Sequence, residues 1–178
     1  MSLLSRLLGK SPDSREAMRP LWHRIVEIAR EPDFYARCGV ADSVSGRFDA
    51  ITLVLALVLL RMERGKDDAA GGALVSASAR LTELFVEDMD GQLRESGVGD
   101  LVVGKRMGKL VSVLGGRTGA LREALAGDDE ALASALSRNV TLNPDAGPED
   151  MARLCAHLRA LHEKLQALPD DAILAARI

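Results

Sequence analysis

Aromatic residues are scarce in this chain and make up only 3% of its 178 residues. A core with so few rings must be built from leucine, valine, alanine and isoleucine, which is typical of packed helices and not of sheets. No stretch of the sequence shows a β-strand pattern. Because 47% of the residues are apolar, we expect an ordered chain with disorder only at its ends.

Cysteine and histidine, the usual residues of metal sites, are also few. Cys38 and Cys155 are far apart and belong to no CxxC or CxxH motif, so we interpret them as free thiols, with a single disulfide as the alternative. His157 and His162 are five residues apart, a spacing that points two helical side chains in different directions. The sequence therefore predicts no catalytic set, no metal site and no cofactor.

No apolar run is long enough to cross a membrane. The longest, Ile51–Leu60, has about half the length that a spanning helix needs, so it reads as a buried core helix. Residues 1–10 form a short segment with leucines on one side, either an amphipathic contact with a membrane or a frayed or docked terminus. No secretory signal pattern is present. Residues 11–178 have a length that suits a single domain.

The charged residues are divided unevenly along the chain, although the formal net charge of −3 is too mild for nucleic acid recognition. From Glu83 to Asp100 there are six acids and one base, and from Leu101 to Arg122 there are five bases and no acid. We predict that these two surfaces bind a partner, although solvated helix faces are the simpler alternative. The candidate binding residues are Glu87, Asp88, Asp90, Arg94, Asp100, Lys105, Arg106 and Lys109.

Turn and cap signals divide the chain into helices. Gly39 and Gly97 are expected to end helices, and Asp128 and Pro148 to begin them. A heptad-like seam in the last helix packs either inside a bundle or against a partner helix. We predict an all-α fold, an irregular bundle of about six or seven helices. The main predicted helices span residues 47–64, 73–95, 102–126, 129–139 and 148–168, and the seam consists of Met151, Leu154, Leu158, Leu161, Leu165 and Leu168.

Three stretches carry motifs in a specific order: Leu21–Asp49, which ends in GRFD, then Ala50–Met62, then Leu84–Leu110, with EDMD, LRE, GVGD and KR in series. They resemble the ubiquinol–cytochrome c chaperone family, the cytochrome b assembly factors of mitochondria and alphaproteobacteria. The resemblance covers roughly the first two-thirds of the chain, and beyond Leu125 only generic helix matches. It assigns a structural motif to Gly46, Arg47, Phe48, Asp49, Gly97 and Gly99.

One segment departs from the family pattern as the resemblance gives it. Leu114 stands where an aromatic residue is usual, ahead of the Gly116–Arg117 pair. A smaller side chain fills less space between helices, so we expect looser packing of the helix at this point.

The resemblance implies a non-catalytic chaperone that binds newly made cytochrome b and assists assembly of respiratory complex III, cytochrome bc1. Such a protein would be cytoplasmic and peripheral at the inner face of the inner membrane, and eukaryotic members work with a small helical partner. The acidic residues would complement basic residues that flank the client's membrane helices. The basic residues would face an anionic membrane surface, the ribosome or an acidic partner.

An alternative is a small helical enzyme or metal-binding protein that uses carboxylates near Asp88 with a histidine. Glu87 and Asp90 share a helix face, but no histidine and no EF-hand spacing accompany them. A histidine such as His23 or His157 would have to be brought beside these carboxylates by the fold.

Overall fold

The computed structural model describes residues 15–64, 71–95 and 103–178, and describes side chains for all of these except residues 71, 92–95 and 103–107. Within those ranges the chain is almost entirely helical, and an isolated antiparallel bridge pairs Val40 with Leu142. After a 3₁₀ turn at Glu16–Met18, the helices are α1 (Arg19–Ala29), α2 (Pro32–Ala36), α3 (Val44–Glu63), α4 (Gly71–Glu95), α5 (Val103–Ala126), α6 (Asp129–Asn139), α7 (Pro148–Ala167) and α8 (Asp170–Leu174).

The prediction of an all-α irregular bundle is confirmed. In the described ranges, six helices have eleven or more residues, and α2 and α8 have five each. The predicted segment at residues 1–10, and Gly97, Gly99 and Asp100, lie outside the described residues. The sequence also predicts a loop at residues 66–72; residues 66–70 lie outside the described ranges, and Gly71 and Gly72 belong to α4, which begins two residues earlier than predicted.

Local capping explains where several helices begin. The Asp128 carboxylate accepts a hydrogen bond from the Ala131 N–H at 2.9 Å, and α6 spans the predicted residues. The Ser43 hydroxyl accepts one from the Gly46 N–H at 3.1 Å, so α3 begins at Val44, three residues earlier than predicted.

Helix α3 is the centre of the bundle and packs against α1, α4, α5 and α7. Every residue from Asp49 to Val58 is buried, which confirms that the longest apolar run is a core helix. Among the described helices, none is long and apolar enough to span a bilayer.

Helix α5 forms in spite of its glycines, because it packs against α3, α4 and α6. Leu114 is 2% exposed and belongs to the core, whereas an added Cβ at Gly115 or Gly116 would meet nothing within 4 Å.

The seam of α7 faces the interior. Leu154, Leu158 and Leu165 are fully buried, Leu161 is 9% exposed, and Met151 and Leu168 at the ends are partly buried. The seam is therefore a packing surface of this bundle.

The sequence analysis did not predict helix α8. A buried arginine on α3 holds the segment that leads into this helix. Arg61 on α3 donates hydrogen bonds to the carbonyls of Leu165 at 3.1 Å and Leu168 at 2.6 Å, and to the Asp170 carboxylate at 2.6 Å. Carbonyls at a helix end need such donors, and Arg61 supplies them from a distant helix.

Cys38 and Cys155 are free and buried, as the first interpretation of the sequence expected. Burial raises the pKa of both thiols above the ordinary value, because a thiolate loses solvation there.

Candidate functional site

A groove of about 890 Å³ runs beside the amino-terminal half of α3. Helices α4 and α5 contribute one apolar residue each, and the segment after α6 closes the other side. A volume near this value is within the range of small ligand pockets, so the groove has room for a short apolar stretch. Its apolar lining consists of Val44, Phe48, Ile51, Met89, Leu110 and Val140.

The polar lining of this groove is mainly basic. Among the described residues that line it, four are arginines and one, Asp49, is an acid. The Asp49 charge is paired internally, and the Arg47 charge is paired with Asp42 at 2.7 Å. That hydrogen bond from Arg47 lowers the pKa of the Asp42 carboxyl. The groove therefore combines an apolar floor with a positive edge, and its arginines are Arg30, Arg47, Arg117 and Arg138.

Asp49 organises one wall of the groove. It is 5% exposed, and its Oδ1 accepts a hydrogen bond from the Arg117 guanidinium of α5. Its Oδ2 accepts from the backbone N–H of Thr141 at 2.8 Å and from the Thr141 hydroxyl at 2.7 Å. Arg117 also donates to the Thr52 hydroxyl. A buried carboxylate needs such partners, and here they join α3, α5 and the segment after α6.

Aromatic rings continue this network toward α1 and α4. The Arg117 guanidinium lies 5.6 Å from the centre of the Phe48 ring, within the range of a cation–π contact. Phe48 contacts Phe85 at 6.2 Å between ring centres, and Phe85 contacts Trp22 edge-on at 6.0 Å. Three of the five aromatic residues of the chain thus form one series of ring contacts, and Phe48 in that series lines the groove.

Gly46 lets the start of α3 approach the preceding chain. A Cβ at this position would lie 2.0 Å from the Ala41 carbonyl oxygen, which excludes any side chain without backbone movement. The four residues of the GRFD motif have distinct places: Gly46 makes this contact, Arg47 and Phe48 line the groove, and Asp49 is its buried acid.

The predicted acidic residues lie on α4 beside the groove residue Met89. Asp88 is exposed, and its carboxylate accepts a hydrogen bond from the Trp22 indole N–H at 3.2 Å. Glu87 is exposed and lies 3.9 Å from Arg15, while Asp90 is half-buried. Asp88 thus also serves the contact between α4 and α1.

Of the predicted basic residues, the structure describes the side chain of Lys109, which is exposed and precedes the groove residue Leu110. The side chains of Arg94, Lys105 and Arg106 lie outside those that the structure describes.

The alternative of a metal site near Asp88 receives no support from the described part of the chain. Within the described residues, the group of three side chains that could hold a metal ion consists of Asp33, Cys38 and His157. It includes neither Asp88 nor Asp90. His23 is exposed on α1 and joins no such group within the same ranges.

Sequence reasoning missed several residues of this groove, chiefly Arg117, Thr141, Arg30 and Arg138. A signal for Arg117 was present, since Asp49 precedes a long apolar run and a buried acid requires a partner. The sequence does not say which of the chain's many basic residues is that partner.

Comparisons with known proteins agree with this architecture. The family described as ubiquinol-cytochrome C chaperone matches residues 36–178. A solved structure, the crystal structure of the Cbp3 homolog from Brucella abortus, is similar with 34% sequence identity and a TM-score of 0.78, covering 99% of this chain and 95% of that chain. No curated protein matches in the corresponding sequence search.

The matched range corrects one prediction. The family match includes the last third of the chain, which we had read as generic helix, and leaves out residues 1–35. The helices that follow Leu125 are therefore part of the family domain.

Proposed function

Because the chain belongs to the ubiquinol–cytochrome c chaperone family, we propose that it binds newly made cytochrome b and assists assembly of respiratory complex III without catalysing a reaction. The match over residues 36–178 carries this proposal. The likeness to the Cbp3 homolog supports it over nearly the whole chain.

The groove is the surface that we assign to the client. Its apolar lining suits an apolar stretch of a membrane protein that has not yet inserted or paired with its neighbours. A groove of about 890 Å³ holds a few side chains. A membrane helix has about 20 apolar residues, so the chaperone would cover part of one helix only.

The charged residues around the groove would set the direction of the client. Loops on the cytoplasmic side of membrane proteins are rich in lysine and arginine, and the exposed carboxylates of Glu87 and Asp88 complement them. The arginine edge would meet acidic groups of the client at the other side of the groove.

We assign the basic residues Lys105, Arg106 and Lys109 on α5 to contacts with a surface other than the client. We infer that they face anionic lipid head groups at the inner face of the inner membrane, where the protein would be peripheral. The ribosome, or a small helical partner protein, is the competing occupant of this surface.

A gene deletion tests the function itself. The deletion strain is expected to contain less cytochrome b and less assembled complex III, while unrelated membrane proteins keep their levels. Immunoblots and haem b spectra of isolated membranes measure this. Normal levels of both would overturn the proposed function.

A matched pair of variants tests the groove. Val44 is 89% exposed at the start of α3, where a new acid favours the helix, so Val44→Glu leaves the fold intact. Val75 on α4 is also exposed, at 43%, and lies outside the groove. We expect Val44→Glu to reduce recovery of cytochrome b with the chaperone and Val75→Glu to preserve it. Equal recovery of cytochrome b with both variants would mean that the client binds outside the groove.

Charge reversal tests the α5 surface. Lys105→Glu, Arg106→Glu and Lys109→Glu together should weaken sedimentation of the protein with vesicles that contain anionic lipid. Vesicles of neutral lipid are the control. Unchanged sedimentation would mean that these side chains are solvated surface with no membrane role.

A further inference from the structure

A second cluster of reactive side chains lies where α2 meets α7, and none of its members lines the groove. Asp33, Cys38 and His157 each offer one ligand atom, and the three atoms lie within 4.8 Å of one another. Nδ1 of His157 is 3.8 Å from Oδ2 of Asp33. We propose that these three residues form a binding site for Zn²⁺, a role separate from the proposed chaperone function.

The ligand types favour zinc over the common hard cations. Zinc in proteins takes thiolate, imidazole and carboxylate ligands, whereas Mg²⁺ and Ca²⁺ prefer oxygen alone. With bonds of about 2.0–2.3 Å in a tetrahedral site, neighbouring ligand atoms are about 3.3–3.6 Å apart. The separation of 3.8 Å between His157 and Asp33 is already near that spacing. Three protein ligands leave a fourth position for water.

The backbone holds the first two ligands near α7. The Cys38 N–H donates to the Asp33 carbonyl at 3.0 Å, which turns the chain after α2 and brings Cys38 back toward Asp33 in its first turn. Gly39 follows with φ of +71°, and a Cβ there would lie 2.8 Å from the Asp150 Cβ of α7. Arg153 on α7 donates to the Arg37 carbonyl at 2.7 Å. The turn that carries Cys38 is thus fastened to the helix that carries His157.

Neighbouring side chains also orient the ligand atoms. The His157 ring packs edge-on against Phe34 with 4.6 Å between ring centres. Arg37 donates to Oδ1 of Asp33 at 3.2 Å, so the other oxygen, Oδ2, is the one that faces His157. Such supporting contacts are typical around metal ligands, where they fix the orientation of each group.

The exposure of the three residues gives a cation a route from solvent. Cys38 is 1% exposed, whereas the side chains of His157 and Asp33 are 23% and 39% exposed. The thiol therefore forms the inner end of the site and the carboxylate its outer end. A bound cation would connect α2 to α7 and stabilise the folded chain by mass action.

Metal titration of the full chain, purified and freed of metal by a chelator, tests this site. One equivalent of Zn²⁺ should bind and raise the temperature of thermal unfolding. Co²⁺ used as a probe should give the near-ultraviolet absorption of a thiolate–cobalt bond together with the visible bands of tetrahedral cobalt. The cobalt spectrum reports on the thiol directly and needs no substitution.

Variants assign the ligands. Cys38→Ser, His157→Gln and Asp33→Asn should each weaken Zn²⁺ binding by more than the ~10–100-fold that loss of a supporting contact costs. Cys155→Ser and His23→Gln are the matched controls and should bind as the unaltered chain does. Circular dichroism checks that each variant is helical, and Asp33→Asn, at a half-buried position, decides the matter if Cys38→Ser does not fold.

Three results would overturn the proposal. One is the absence of a thiolate–cobalt band in the unaltered chain. Another is a band that persists in Cys38→Ser, or one that Cys155→Ser removes equally. The last is zinc binding that survives in all three ligand variants, which would show an adventitious ion only. None of these results bears on the cytochrome b levels that test the proposed function.

Discussion

Helices α3 and α5 face each other across the groove and use glycine in opposite ways. Gly46 in α3 has the Ala41 carbonyl against it and no space for a side chain. Gly108, Gly115, Gly116 and Gly119 in α5 have nothing within 4 Å of an added Cβ. Thirteen of the twenty residues of α3 are buried, so α3 is the fixed frame of the site. These four glycines of α5 have no such packing role, which leaves the described part of its outer face open to close approach by a partner.

The two helices are joined by one buried ion pair. The Arg117 and Asp49 side chains are 11% and 7% exposed. Such a pair adds little net stability compared with an apolar contact, but the loss of one member leaves a charge in the interior. The pair therefore fixes how α5 lies on α3. Substitutions in the two helices should distinguish the residues that hold the fold together from those that form an open surface.

The largest effect is expected from removing the acid. Asp49→Ala leaves Arg117 without its carboxylate and should lower the free energy of unfolding by about 3 kcal/mol, the lower end for a buried pair, because the groove lets some water reach the guanidinium. Urea unfolding measures it. The double variant Asp49→Ala, Arg117→Met should recover part of the lost stability, and a loss as large as in the single variant would show that the unpaired guanidinium is not its cause.

A smaller but clear loss of stability is expected when the glycine at the start of α3 is replaced. Gly46→Ala places a methyl group 2.0 Å from the Ala41 oxygen, so the backbone must move. The cost should reach the upper part of the roughly 1–3 kcal/mol that overpacking usually costs. Thermal unfolding gives the value. A variant as stable as the unaltered chain would mean that α3 starts less rigidly than its contacts indicate.

The matching change in α5 should have the opposite sign. Gly116→Ala meets no neighbouring atom, and alanine is favoured over glycine inside a helix by about 1 kcal/mol. The same unfolding measurement should show a gain. If the variant is more stable yet recovers less cytochrome b, the open face of α5 is a contact surface. If recovery is unchanged, α5 contributes to binding only through its groove side.

The smallest effect is expected at the exposed acid before α3. The hydrogen bond from Arg47 lowers the pKa of Asp42, so its contribution to stability is present above the ordinary carboxyl value and is lost as the pH falls through the lowered value. Asp42→Asn should therefore be slightly less stable than the unaltered chain at neutral pH and equal to it in strong acid. Thermal unfolding at both pH values checks this. A large change at neutral pH would contradict the contrast with Asp49.

Features that depend on neighbouring residues were well predicted from the sequence. The start of α6 follows from the Asp128 cap, and the start of α7 follows from Pro148 at its first turn. The seam of α7 was found by its spacing, although only the fold shows that it is internal. Helix α8 was missed because five residues are too few for a periodic pattern and its start is held by Arg61 of α3.

The candidate site was predicted less well. The charged residues from Glu87 to Lys109 drew attention because they are adjacent in sequence, and Met89 within that segment and Leu110 directly after it do line the groove. The arginines at its edge come from four separate parts of the chain, and no local pattern connects them. The Asp33, Cys38 and His157 cluster was missed for the same reason, since His157 is far from the other two in sequence and was considered only with residues of its own helix and with the carboxylates near Asp88.

The sequence by itself determined an all-α chain, the order of its helices, the buried run of α3 and the membership that its motifs indicate. Those properties depend on helix periods, caps and turns, which act over a few residues. The tertiary structure alone decided that Asp49 meets Arg117, 68 residues away, and Thr141, 92 residues away. Many bases are suitable partners for one buried acid, and only the packing of α5 and of the segment after α6 against α3 selects among them.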